Sequence, residues 1–129
     1  MIIKNHKYST RIYLMILVII SLIGLSACSP HSGAGTWITD GNNPLKLTKI
    51  VVVFEGTADF FSEKNKETDN STIRRCFWGA AADDQLQMQC VHADNTDLKE
   101  TYQFTIIEGN QAQLTQNKQL IALFKKQTP

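Results

Sequence analysis

The chain has 129 residues, 43% of them hydrophobic, with thirteen Lys and Arg against twelve Asp and Glu. That length supplies one small domain and no more. A formal charge of +1, with no basic stripe along the chain, excludes the electrostatic footprint of a nucleic-acid binder.

Lys4, Lys7 and Arg11 make a positive N-terminus without an acid, and Ile12–Leu25 follows as an apolar run of 14 residues. A membrane-spanning helix needs about 20 such residues, so this run is short for an uncleaved anchor. Leu25-Ser26-Ala27-Cys28 closes it. The arrangement resembles a bacterial lipoprotein signal peptide ending in a lipobox. That resemblance implies cleavage before Cys28, lipid on the Cys28 sulfur, and a mature domain held to a membrane. One acyl chain anchors a protein only marginally, whereas two or more hold it stably. Ser29, where an Asp could stand, is similar to the outer-membrane default of two-membrane bacteria and implies a periplasm-facing envelope protein.

Residues 1–27 take three basic residues and no acid, so the remaining 102 residues carry ten bases against twelve acids, a charge of −2. Residues 28–35 would be the lipidated Cys28 and a flexible tether, since Ser29–Gly35 is small, polar and contains Pro30, Gly33 and Gly35. Residues 36–129 form a single β-domain. Strands are expected at Thr36–Thr39, Leu45–Phe54, Thr57–Phe61, Thr72–Trp78, Gln85–His92, Thr101–Ile107, Gln111–Thr115 and Gln119–Phe124. Turn signals separate them at Glu55-Gly56, Ala81–Asp84, Asp94-Asn95, Glu108–Asn110 and Gln116-Asn117, and Glu63–Asn70 reads as a solvated loop. A helix over Asn117–Lys126 is the weaker reading because no cap box precedes it. The fold class is all-β: a small antiparallel up-and-down meander of seven or eight strands, forming a barrel or sandwich. Closure into a barrel would remove the sheet's exposed edges.

The middle hairpin carries a specific register. With Cys76 opposite Cys90, Trp78 faces Met88 and Ala80 faces Leu86, all on one side, while Gln85, Gln87 and Gln89 take the other. Directly opposed residues lie within disulfide range, and an oxidising envelope favours the bridge Cys76–Cys90. Tyr102, Phe104 and Ile106 alternate with Gln103 and Thr105, giving a matching inner face. Two strands are apolar on both faces. Either Val51 and Val53, or Ile50, Val52 and Phe54, point inward from the first, and Leu120, Ala122 and Phe124 alternate with Ile121 and Leu123 in the other.

No constellation points to catalysis or a metal. Cys76, Cys90 and His92 lack the four-ligand spacing of zinc sites, and the cysteines are better read as a disulfide. As a nucleophile and base, Cys76 and His92 would need an orienting third group that the sequence does not identify. Asp83-Asp84 suits a hairpin tip better than an acid–base pair. No phosphate loop, serine elbow or helix-borne His-Glu-His motif occurs, and no cofactor is implied. Trp37, Trp78, Tyr102 and Phe104 are read as core aromatics or, alternatively, as the lining of a ligand pocket. Phe77 points away from the Cys76 face and, with Arg75 and Val91, makes a candidate partner patch.

Gly35-Thr36-Trp37 followed by an antiparallel meander resembles the Gly-x-Trp opening of lipocalins and their shorter bacterial relatives. The resemblance implies an up-and-down barrel with Trp37 plugging one end. Small envelope lipoproteins that inhibit lysozyme resemble the same layout, but their Ser-Gly-x-x-Tyr loop has no counterpart in the sequence. Two functions are expected: a non-catalytic envelope lipoprotein that binds a protein partner, or a lipocalin-like binder of a small apolar molecule.

Overall fold

In the computed structural model, residues 6–23, 30–63, 70–108 and 110–128 are described. They fall into two units, split at Pro30 and His31. The first contains one helix, α1 (His6–Ile23), which covers residues 6–11 and most of the apolar run that begins at Ile12. No helix among the described residues is long and apolar enough to cross a membrane. Cys28 and the cut expected before it lie outside the described residues, as does most of the polar stretch after Glu63.

The second unit is a closed barrel of eight antiparallel strands in simple up-and-down order. They are β1 (Gly35–Thr39), β2 (Leu47–Val53), β3 (Thr57–Glu63), β4 (Asn70–Ala82), β5 (Gln85–His92), β6 (Lys99–Glu108), β7 (Gln111–Gln116) and β8 (Gln119–Lys126). The C-terminal segment is therefore a strand, not a helix. Its turn, Asn117-Lys118, has positive φ at both residues (50° and 65°). That conformation matches the right-handed twist of a two-residue hairpin.

Alternation decides what fills the interior. Ile50 and Val52 point inward from β2, while Val53 is exposed and Phe54 leaves the strand for the turn closed by Gly56 (φ 108°). Tyr102, Phe104 and Ile106 are buried from β6, and Ala122 and Phe124 from β8. A register shift between Leu114 and Thr115 breaks the expected β8 alternation, so Leu120 faces solvent and Ile121 packs against the core. Eight strands enclose a space just wide enough for side chains. Trp37 meets Phe104 edge-on at 5.1 Å, Phe104 meets Phe124 at 5.8 Å, and Phe60 meets Tyr102 at 5.3 Å. The barrel is filled rather than hollow along this stack.

The β4–β5 register is the one alternation demands: Cys76↔Cys90, Trp78↔Met88 and Ala80↔Leu86. Cys76 and Cys90 form a buried disulfide with their Cα atoms 4.0 Å apart. Ala80 is nevertheless exposed, and beyond it β4 runs on to Ala82 through a register shift between Ala80 and Ala82.

Residues 31–34 are part of the barrel. His31 Nε2 donates to Ala82 O (2.8 Å), Ser32 Oγ to Asp83 O (3.0 Å), and Trp37 Nε1 to Gly33 O (2.9 Å). Lys126 Nζ donates to Ser32 O and lies 5.4 Å from the centre of the Trp37 ring. The expected flexible tether through Gly35 does not include residues 31–34, because these carbonyls and the Trp37 N–H bind the segment across one barrel end. We call this the entry end. The opposite, loop end carries the β1–β2, β3–β4 and β5–β6 connections and the β7–β8 turn.

Candidate functional site

At the loop end, β4, β5 and β6 bring Arg74, His92, Glu100 and Tyr102 together. Register accounts for the meeting: Arg74 pairs with His92 two positions beyond Cys76↔Cys90, and Cys90 pairs with Glu100. Parity then points Arg74, His92 and Glu100 the same way as the disulfide. Glu100 accepts hydrogen bonds from Arg74 Nε (3.1 Å), His92 Nε2 (2.8 Å) and the Tyr102 hydroxyl. Arg74 also donates through Nη1 to Ile73 O. Its side chain is only 11% exposed.

Burial alone would raise the Glu100 pKa, but the hydrogen bonds from Tyr102, His92 and Arg74 and the Arg74 charge outweigh it, lowering the group from 4.5 to about 2. Tyr102 moves the other way, to about 12, through burial and then its hydrogen bond and proximity to Glu100. A carboxylate so stabilised is a poor proton acceptor near neutral pH. Its evident work is to hold Arg74 and His92 in place.

Because the folded pKa lies below the unfolded value, Glu100 contributes stability that is complete above about pH 4.5 and is lost as pH falls toward 2. The urea midpoint should therefore fall between pH 5 and pH 2. Glu100→Gln should flatten that fall while lowering the midpoint at pH 7; an unchanged slope would remove Glu100 as its source.

Arg74 and His92 form one wall of an open cleft of about 610 Å³, with Leu45 and Ile73 as apolar lining and Ser71 and Asp94 at its polar parts. Leu45 and Ile73 also pack against the core. A neighbouring, more polar depression lies among the β1–β2 loop residues Asn42, Asn43 and Lys46 and Glu63. There Asn43 both donates to and accepts from the Leu47 backbone, which shapes the loop.

The sequence-derived candidates fall into three places. Trp37, Tyr102 and Phe104 are core: Trp37 is fully buried and Phe104 sits within the aromatic stack. Trp78 is half-buried at the entry end, its Nε1 donating to Val53 O (2.8 Å) and its ring tilted 5.9 Å from His31. These four line no common cavity, because the first three fill the interior and the fourth caps its margin. Arg75 and Val91 are direct partners across β4–β5 on the outer wall, and Phe77 stands on the same wall at 74% exposure. Cys76 and Cys90, joined to each other, offer no thiolate to a metal or substrate. Among the described residues no group of three or more His, Cys, Asp and Glu is placed to hold a metal ion.

Comparison with protein-family models, curated proteins and solved structures finds no match for this chain.

Proposed function

We propose that this protein is a non-catalytic cell-envelope lipoprotein, anchored through lipid on Cys28 to the outer membrane and facing the periplasm. Its barrel binds a protein partner by surface contact. One observation carries the surface reading: Trp37, Phe60, Tyr102, Phe104 and Phe124 occupy the interior. A small apolar ligand has no space along that stack, so the lipocalin-like reading gains no support from it. The cleft of Leu45, Ile73, Arg74 and His92 is the best-suited partner surface. It pairs apolar lining with an oriented, mostly desolvated arginine, the combination on which protein interfaces concentrate their affinity. It also lies at the barrel end opposite residues 31–34.

In-cell crosslinking tests this. A photoreactive residue at Leu45 in the full chain should give one discrete product in the membrane fraction, and Cys28→Ser should release the protein from that fraction. A diffuse set of neighbours at Leu45 would reject the partner surface. Membrane association unaffected by Cys28→Ser would reject the anchor.

A further inference from the structure

We propose that the entry end of the barrel rests on the lipid surface itself, with Phe54 and Phe77 entering the headgroup layer; this deepens the lipoprotein reading and rests on it. The first support is chain length. Hydrogen bonds to Ala82, Asp83 and Trp37 bind His31, Ser32 and Gly33 to the barrel. From Cys28 to His31 the backbone can travel only about 10 Å even when fully extended. The headgroup region of one leaflet is itself about 5–8 Å thick. A barrel bonded to His31, so close along the chain to the acylated Cys28, has its entry end at the headgroups.

The second support is what that end displays. Phe77, at 74% exposure, and Phe54, at 67%, are the most exposed large apolar side chains of the described barrel. They belong to one corner: Val53 pairs with Thr57, Thr57 with Phe77, and Trp78 N–H donates to Gly56 O. Trp78 fastens this corner to both Val53 and His31. The exposed Ala80, Ala81 and Ala82 continue β4 beside it, and Ile107 is exposed where β6 reaches the same end. Exposed phenylalanines are among the side chains that surface-lying segments bury at the boundary of headgroups and acyl chains.

Charge narrows the lipid. Glu55, Asp83, Asp84 and Glu108 are exposed at the turns of this end, where the half-buried Lys126 is bonded to Ser32 O. An acidic rim is repelled by anionic lipid, so the surface it fits is zwitterionic, with ethanolamine or choline headgroups.

The test uses the full chain made in bacteria, purified in detergent and reconstituted into phosphatidylethanolamine–phosphatidylcholine vesicles containing brominated lipid. Intact mass first reads whether Cys28 is the acylated N-terminus. Phe54→Trp, Phe77→Trp and, at the loop end, Leu120→Trp each add one exposed indole. Quenching of the added emission should be roughly twofold at positions 54 and 77 and negligible at 120. Replacing half the lipid with phosphatidylglycerol should reduce it. Acylated protein with equal quenching at all three positions would overturn the proposal and leave the anchor standing. An unacylated, uncleaved chain would overturn both.

Discussion

Trp37→Ala is expected to lower the stability of the barrel by about 3–5 kcal/mol, the cost of removing a large aromatic from a packed core. Trp37 is fully buried, meets Phe104 edge-on, supports Lys126 and donates to Gly33 O. Alanine leaves a void between strands that hydrogen bonding holds apart, so neighbouring side chains can relax into it only partly. It also frees the Gly33 carbonyl and loosens residues 31–34. Trp37→Phe retains much of the packing and loses the N–H, so it should cost less while still exposing this segment to exchange. Urea unfolding of both variants, with amide exchange at Gly33 and Ala34, checks the argument. If alanine costs under 1 kcal/mol, the barrel collapses around this site far more readily than close packing allows.

Loss of the Cys76–Cys90 bridge is the second large effect. The double variant Cys76→Ala/Cys90→Ala should lose about 3 kcal/mol, because the bridge closes a loop of about 15 residues in the unfolded chain. For a domain of this size that corresponds to a fall in melting temperature of roughly 10–20 °C. The fold should survive, since the β4–β5 ladder keeps its other pairs on both sides of the bridge. Reduction of the native protein should reproduce the shift in a thermal melt, and coincident curves with and without reductant would contradict it.

Alternation made the barrel legible. In β4, β5 and β6 an apolar face and a polar face emerge from a single register, and Cys76↔Cys90 follows from the same parity that buries Tyr102 and Phe104. Two-sided strands were harder. Ile50 and Val51 are both apolar, and only the turn at Gly56 and the pairing with β3 decide that Ile50 is inside. The register shift before Thr115 has no sequence marker of its own, so the exposure of Leu120 could not be read in advance.

The Arg74–His92–Glu100–Tyr102 cluster went unread for a different reason. Charged residues in polar strand ends look solvated. Yet each occupies an inward parity position: Arg74 with Cys76, His92 with Cys90, Glu100 with Tyr102. An arginine and a glutamate at such positions signal an ion pair, with His92 as a further hydrogen-bond donor, since a buried charge needs a partner. The role of residues 31–34 was hidden because Ser, His and Gly have the composition of a linker. What binds them is backbone carbonyls 51 residues away, invisible to composition.

One consequence of the ladder lengths is mechanical. β4 and β5 share eight paired positions, whereas β1 meets β8 through three: Trp37, Ile38 and Thr39 opposite Lys126, Lys125 and Phe124. The seam that closes the cylinder is thus a short one, and it belongs to the strand nearest the N-terminal chain. Force arriving along that chain divides at residues 31–34 between β1 and the β4–β5 turn, to which His31 and Ser32 are bonded. Under tension the cylinder should part at this seam first, leaving the disulfide-bonded β4–β5 pair as the last region to give way.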